Sequence, residues 1–378
     1  MTTAAREKGK LKIYLGYAAG VGKTYQMLDD AQVLRRQGVD VVIGYFEPHG
    51  RADTIAKTEG LEIIPCKRIE YRGTQFGEMD TDAILRRNPA ICLVDELAHT
   101  NVPGSERVKR WEDVRVLTDN GITVHSTLNV QHLESFNDQV WQLTGIRVRE
   151  TLPDWVVNEA SEVILVDVTP QALRNRLERG AIYGPEKAAQ ALTNFFTEQN
   201  LGSLRELTLR HAAHEVEGRL TNLPVAKSAG RAQTHRGTGL SKGPMERILV
   251  CLDEKPSTAM LIRRGLRVAD YLNGECCAVF VLPAMDWTAI PPDSRAAIEN
   301  HLSFARNLRI ATQVIDGANV ANALVDFARD QKVTQIYMGR TKSKRTLFFA
   351  RGDTVQGVVR LARDIQVVIV SEHRRKTA

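Results

Sequence analysis

Between residues 10 and 223, short apolar runs alternate with amphipathic stretches. The runs 11–16, 39–46, 90–95, 122–127 and 162–167 are mostly continuous in apolar residues rather than alternating with polar ones. Strands of that kind are buried on both faces. Helical patterns fill the intervals at 23–37, 81–87, 107–120 and 131–143. The alternation predicts a parallel sheet with helices on both sides. Ligands of such sheets bind beyond the carboxyl ends of the strands. Residues 170–223 read as two or three further helices, for example 188–197 and 201–219, which cap the sheet or form a helical appendage.

The pattern then breaks. Residues 224–245, PVAKSAGRAQTHRGTGLSKGPM, contain no acid and few large apolar side chains. That composition predicts a flexible basic linker. A second alternation follows over 246–372, with strands at 247–253, 275–282, 311–315, 333–339 and 366–370. Helices are expected at 257–272, 294–308, 320–331 and 354–362. The chain is therefore expected to hold a nucleotide-binding α/β domain over 10–223 and a doubly wound α/β domain over 246–372, joined by the linker.

Composition adds limits. At 378 residues and 43% apolar content, two or three sizeable cores are available. Lys and Arg number 51 against 45 Asp and Glu, a net charge of +6 that does not by itself argue for nucleic acid. The five cysteines have no CxxC spacing and lie largely in apolar runs, so they are expected to be reduced core residues of a cytoplasmic protein. The N-terminus lacks the apolar core of a signal peptide, and no run approaches the ~18 apolar residues of a membrane span.

The chemistry concentrates in the first domain. The run 11–16 ends in a glycine-rich turn, and Gly22-Lys23-Thr24 opens a helical pattern. This is the strand–loop–helix context of a phosphate-binding loop. Gly16, Gly20, Val21 and Gly22 would turn backbone N–H groups inward, Lys23 would reach the β- and γ-phosphates, and the Thr24 hydroxyl would ligate Mg²⁺. One position is off-pattern: Tyr17 stands where the first glycine is usual, and Gly16 is one residue earlier. A plain glycine-rich βα turn would have no need of the Gly-Lys-Thr run. Lys23 is expected to face solvent and phosphate, so that its removal leaves the stability of the nucleotide-free chain little changed.

A phosphate loop needs an acidic partner on a neighbouring strand. Ile91-Cys92-Leu93-Val94 ends in Asp95-Glu96. Asp95 would hold Mg²⁺ beside Thr24, and Glu96 would take a proton from the water attacking the γ-phosphate. Asn129, after the next strand, is a candidate for orienting that water. His99 or Asn101, in a Pro-Gly-Ser loop, would sense the γ-phosphate or simply form a polar turn. His132 reads as a residue of the helix start. No arginine finger can be located.

These residues carry a resemblance. GYAAGVGKT, VDELAHTNVPGS, KRWEDV, TLNVQHLESFND, TGIRVRETLPD and LRELTLR, spread over residues 10–220, closely resemble the N-terminal cytoplasmic domain of the KdpD osmosensitive potassium sensor kinases. The glycine displaced by one position is usual in that family. The resemblance implies an ATP-binding sensory module that modulates a histidine kinase or membrane sensor controlling potassium uptake in a two-component system. Such sensors continue into membrane spans and a kinase core. This chain ends at Ala378 without them, so it is expected to be a stand-alone short form and not a histidine kinase by itself. In such a module Mg²⁺-dependent hydrolysis is expected to be slow or absent; the alternative is an autonomous P-loop ATPase or small kinase.

The domain over 246–372 is similar to the universal-stress-protein domain that these sensors carry next. By that resemblance, Asp253 and a loop bounded by Gly339, Arg340 and Gly352 would hold a ligand. Lys342 and Asp353 depart from the ATP-binding pattern, and 253–257 does not reproduce the Ser-x-Ser motif associated with cyclic di-AMP. A degenerate domain used for protein contact is the favoured reading, then an anionic nucleotide site served by the basic cluster around Arg340, with tight ATP binding last.

Overall fold

The computed structural model describes residues 7–48, 50–180, 182–221, 246–272, 274–339 and 354–370. The expected linker at 224–245, Arg340, Gly352 and the loop between them lie outside the described residues. The chain divides into two compact units, Met1–Glu217 and Gly218–Ala378.

In the first unit the strands are β1 (Leu11–Gly16), β2 (Val41–Tyr45), β3 (Glu62–Ile63), β4 (Lys67–Tyr71), β5 (Thr74–Glu78), β6 (Ile91–Val94), β7 (Thr123–Asn129) and β8 (Glu162–Leu165). Six of them form one parallel sheet in the order β3-β2-β6-β7-β1-β8. The helices are α1 (Lys23–Arg36), α2 (Ala52–Ala56), α3 (Thr81–Arg87), α4 (Arg110–Asp119), α5 (Asn137–Thr144), α6 (Trp155–Asn158), α7 (Pro170–Glu178), α8 (Pro185–Thr193) and α9 (Glu198–Thr221).

The continuous apolar runs are explained by burial on both faces. Ile13 and Leu15 of β1 point into one core with Val94, Val124 and the α4 residues Val114 and Leu117. Tyr14, Ile43 and Leu93 point into another, against Met27, Leu28 and Ala31 of α1. All of these side chains are essentially inaccessible. Truncating one, as in Leu28→Ala, is expected to cost about 2–5 kcal/mol.

Three local features depart from the sequence expectation. Residues 67–78 form an antiparallel hairpin, β4–β5, turning through Arg72 (φ 51°) and Gly73 (φ 75°). Both turn residues are left-handed, as the twist-matched two-residue turn requires, but Arg-Gly is not the usual signal for it. The helix expected at 131–143 is instead two 3₁₀ turns, Val130–His132 and Glu134–Phe136, followed by α5. Among the cysteines, Cys66 is exposed, a correction to the expectation of a uniformly core set; it lies in the segment between β3 and β4 rather than in an apolar strand.

The second unit is a five-stranded parallel sheet in the order β11-β10-β9-β12-β13, from β9 (Arg247–Cys251), β10 (Glu275–Val281), β11 (Ala311–Ile315), β12 (Gln335–Gly339) and β13 (Gln366–Val370). Its helices are α10 (Thr258–Tyr271), α11 (Pro292–Asn307), α12 (Val320–Asp330) and α13 (Thr354–Leu361). α10 and α11 cover one face and α12 and α13 the other. This is the doubly wound arrangement expected from the alternation. Among the described residues, no helix is long and apolar enough to cross a membrane.

Candidate functional site

The site is built where β1, β6 and β7 end. β7 lies between β1 and β6, pairing Gly16 with Asn129 and Val94 with Ser126. The loop after β1, the acids after β6 and the polar end of β7 therefore meet at one edge. A single pocket is lined by Gly20, Lys23, Thr24, Arg51, Asp95, Glu96, His99, Thr127, Asn129, His132 and Glu150, with apolar residues between them.

The loop's glycines each have a steric reason. A Cβ at Gly16 would stand 2.6 Å from Val21 Cγ2 and 3.0 Å from Lys23 Cδ, because the lysine stem folds back across the end of β1. That crossing accounts for a glycine at 16, while Tyr17 is free to bury its ring and donate its hydroxyl to the Val168 carbonyl at 3.1 Å. Gly20 and Gly22 have φ of 86° and 112°, a region L side chains rarely adopt. Gly20 also packs on Leu173 and Ile182, and Arg176 of α7 donates to the Gly20 and Val21 carbonyls at 3.2 Å each. The helices after β8 thus brace the loop from outside. α1 has no side-chain N-cap and no acid in its first turn, while Arg35 and Arg36 occupy its last. Its leading N–H groups and the positive end of its dipole are left for an anion.

Lys23 differs from expectation. Its side chain is buried, at 8% exposure, and Nζ donates to the Ala18 carbonyl at 3.1 Å. Burial pulls its pKa down to about 8, with Asp95 opposing that shift. Asp95 is also buried, and desolvation pushes its carboxyl above the ordinary value against hydrogen bonds from Thr127 and Thr24 and the charge of Lys23. Thr24 Oγ1 lies 3.1 and 3.3 Å from the two Asp95 oxygens. Thr127 also donates to Asp95 Oδ1.

Glu96 follows in a left-handed conformation, φ 57°, costly for a residue with a Cβ. The backbone is pinned there: Glu96 N–H reaches Thr127 Oγ1 at 3.0 Å and Asp95 Oδ1 at 3.2 Å. Asn129 lines the pocket, and its Oδ1 is buried without a hydrogen-bond partner. Among the described residues there is no cluster of three or more His, Cys, Asp or Glu arranged for a metal. One carboxylate and one hydroxyl, Asp95 and Thr24, are nonetheless the sparse oxygen set that Mg²⁺ takes when phosphates and water complete its shell. The residues present fit that ion.

Of the two loop candidates, His99 reaches the pocket and Asn101 does not. His99 Nε2 is 3.1 Å from Glu78 Oε1 and its ring stacks on Tyr45. Asn101 is buried and holds Arg107 O and Asp113 Oδ2 at 3.1 and 2.7 Å, a structural role. His132 lines the pocket with Nδ1 2.7 Å from the Glu150 carbonyl, and burial depresses its pKa.

Several contributors lay beyond sequence reasoning. Arg110 is fully buried, lies 3.6 Å above the Tyr45 ring, and donates to Glu78 Oε2 and the Asp95 carbonyl at 3.2 Å each. It carries the Asp95 turn from beneath. Arg110, Thr127 and Glu150 lie within KRWEDV, TLNVQHLESFND and TGIRVRETLPD, but residue type alone assigned them no role, and Arg51 and Arg176 lie in none of the quoted motifs.

In the second unit, the Asp253 carboxylate is taken up locally. It accepts from Lys255 N–H at 3.1 Å and from the Thr258 hydroxyl at the start of α10. Gly339 ends β12. With Arg340 and Gly352 outside the described residues, the structure does not bring this second set together.

The profile of the family described as "Osmosensitive K+ channel His kinase sensor domain" matches residues 7–216, and that of the "Universal stress protein family" matches 245–371. A "Putative sensor protein KdpD" of Synechocystis sp. is 41% identical over 364 residues, covering 96% of this chain and 94% of the relative. The "Sensor protein KdpD" of Escherichia coli is 41% identical over 370 residues, covering 98% of this chain but 40% of the relative. That of Mycobacterium tuberculosis is 41% identical over 339 residues, 90% of this chain and 38% of the relative. The chain thus spans nearly all of one relative and well under half of the others. Among solved structures, a universal stress protein in complex with cAMP aligns with 34% of this chain and 98% of its own, at 17% identity and TM-score 0.28. With a family profile over more than half of its length and a relative matched almost end to end, the chain belongs to the KdpD family of sensor proteins and carries a universal-stress-protein domain after its sensor domain.

Proposed function

We propose that the first unit binds Mg-ATP and acts as a cytoplasmic regulatory module of a KdpD-type potassium and osmotic response, modulating a histidine kinase through its nucleotide state. The observation that carries this reading is the meeting of Lys23, Thr24, Asp95 and Glu96 in one pocket at the carboxyl edge of a parallel sheet. The electrostatics support it. Lys23 and Asp95 are both displaced by desolvation in the direction that a charged ligand reverses: an anion beside the lysine and a cation beside the aspartate.

Lys23 and the N–H groups at the start of α1 would hold the phosphates, and Thr24 and Asp95 would hold Mg²⁺. The ion would screen phosphate charge and fix its geometry. Glu96 would accept a proton from water, with Asn129 Oδ1 as an acceptor that orients it. For the second unit, a role in protein contact is the favoured reading, because the Asp253 carboxylate is already taken up by the Lys255 N–H and the Thr258 hydroxyl.

Two measurements test the function. Mg-ATP is expected to raise the unfolding temperature of the intact chain, and Lys23→Ala to remove that rise. Adding the wild-type chain and Lys23→Ala to a KdpD-type histidine kinase in vesicles should change autophosphorylation differently. Equal effects of the two proteins on the kinase would refute nucleotide-dependent modulation.

A further inference from the structure

The pocket holds a second cation. Arg51 immediately precedes α2, on the loop that leaves the carboxyl end of β2, and lines the pocket with Lys23, Thr24, Asp95 and Glu96. Its side chain is half-buried, and its Nε is buried with no hydrogen-bond partner among the described residues. Several other arginines of this unit are paired with carboxylates: Arg87 with Asp40 and Glu62, Arg107 with Asp113, Arg110 with Glu78, Arg205 with Asp167. Arg51 has no such carboxylate among the described residues. A guanidinium turned toward a pocket with a buried donor left over is an expensive arrangement for a chain to keep without a ligand. The field of Arg51 is felt at Lys23 and at Tyr183, and Tyr183 also feels Glu96. Arg51 thus lines one pocket with both Lys23 and Glu96. Its fork matches phosphate oxygens, which the point charge of Lys23 does not.

We propose that Arg51 contacts the terminal phosphate of the bound nucleoside triphosphate, so that this chain supplies in cis the arginine that lets the pocket tell a triphosphate from a diphosphate. The proposal rests on the reading of the pocket as a Mg-ATP site. It gives the sensor unit a basis for reporting ATP against ADP rather than total nucleotide.

The test is calorimetric titration of the intact chain with Mg-ADP and with the β,γ-imido analogue of Mg-ATP, for wild type, Arg51→Ala and Arg51→Lys. Arg51→Ala is expected to weaken the triphosphate analogue about tenfold to a hundredfold, the worth of a charged hydrogen bond, while Mg-ADP changes less than about twofold. Arg51→Lys should recover part of the loss, because it restores charge without the fork. The retained Mg-ADP affinity shows that the variant's pocket is folded. Equal weakening of both nucleotides would make Arg51 a structural or β-phosphate residue, and no change in either would leave it outside the site; both outcomes overturn the proposal. Failure of the wild type to bind either nucleotide is a different result: it overturns the Mg-ATP reading, and the assignment of Arg51 with it.

Discussion

The burial of Lys23 has a pH signature. In the nucleotide-free chain its pKa lies at about 8 instead of 10.5, because the ammonium has left water. A bound phosphate restores the charge, so nucleotide prefers the protonated lysine. Below pH 8 that form already dominates and affinity should be flat. Above it, protonation must be driven by binding. At about pH 9 only about one lysine in eleven is charged, so the Kd for Mg-ATP should rise about tenfold over its value at about pH 7. An unperturbed lysine would change the Kd by about 3% over the same interval. The assay is calorimetry at several pH values in two buffers of different ionisation enthalpy, which also counts the protons taken up. A constant Kd through about pH 9 with no proton uptake would refute the reasoning. The same shift bears on folding. Between 8 and 10.5 the unfolded chain binds more protons at this site than the folded one, so stability rises with pH across that window. The destabilisation is fully present below pH 8 and amounts to at most about 3 kcal/mol. Lys23→Met keeps the stem and removes the charge, so it should stabilise the nucleotide-free chain near neutral pH and flatten that rise, where a solvent-facing lysine would have left stability unchanged.

Other outcomes follow from the same geometry. Glu96→Gln should retain Mg-ATP binding and lose whatever hydrolysis the wild type shows; phosphate release at the wild-type rate would exclude Glu96 as the base. Arg110→Ala should cost the first unit about 3–5 kcal/mol in chemical denaturation, since it removes the buried cation from the buried Glu78 carboxylate and leaves it only His99 and the Val102 N–H. Replacing both partners by Met should cost clearly less, and equal losses would place the effect in packing rather than charge. We also propose that fragments 1–223 and 244–378 fold separately, with Mg-ATP affinity retained by the first. A fragment cut after residue 165 should lose that affinity, because Arg176, Leu173 and Ile182 brace the loop; undiminished binding by the shorter fragment would contradict the bracing role.

The architecture was legible because burial on two faces writes continuous apolar runs, and β1, β2, β6, β7 and β8 each announced themselves that way. The loop and its acids were legible for a different reason: phosphate and Mg²⁺ chemistry tolerates few residue types, and Gly22-Lys23-Thr24 and Asp95-Glu96 are those types in the right context. The β4–β5 hairpin was hidden because its turn uses Arg72, a residue type that seldom adopts a positive φ. Arg51 and Arg110 were hidden because an arginine's role depends on what the fold brings to its guanidinium. Tyr45 and Asp95 reach Arg110 from the ends of the neighbouring strands β2 and β6, and Glu78 from the end of β5 in the separate hairpin, a meeting that no spacing in the sequence announces. The burial of Lys23 was missed for a related reason. Its motif predicts what the ammonium binds, while the stem's path across Gly16 and the Nζ bond to the Ala18 carbonyl appear only in the folded loop.

The central claim is that the first unit holds Mg-ATP on Lys23, Thr24 and Asp95. Its most direct test is calorimetric titration of the intact chain with ATP, with and without Mg²⁺, for wild type and Lys23→Ala. The account predicts saturable binding at one site per chain, strengthened by Mg²⁺ and abolished in Lys23→Ala while that variant still unfolds cooperatively. ATP binding by Lys23→Ala with the affinity of the wild type would contradict it.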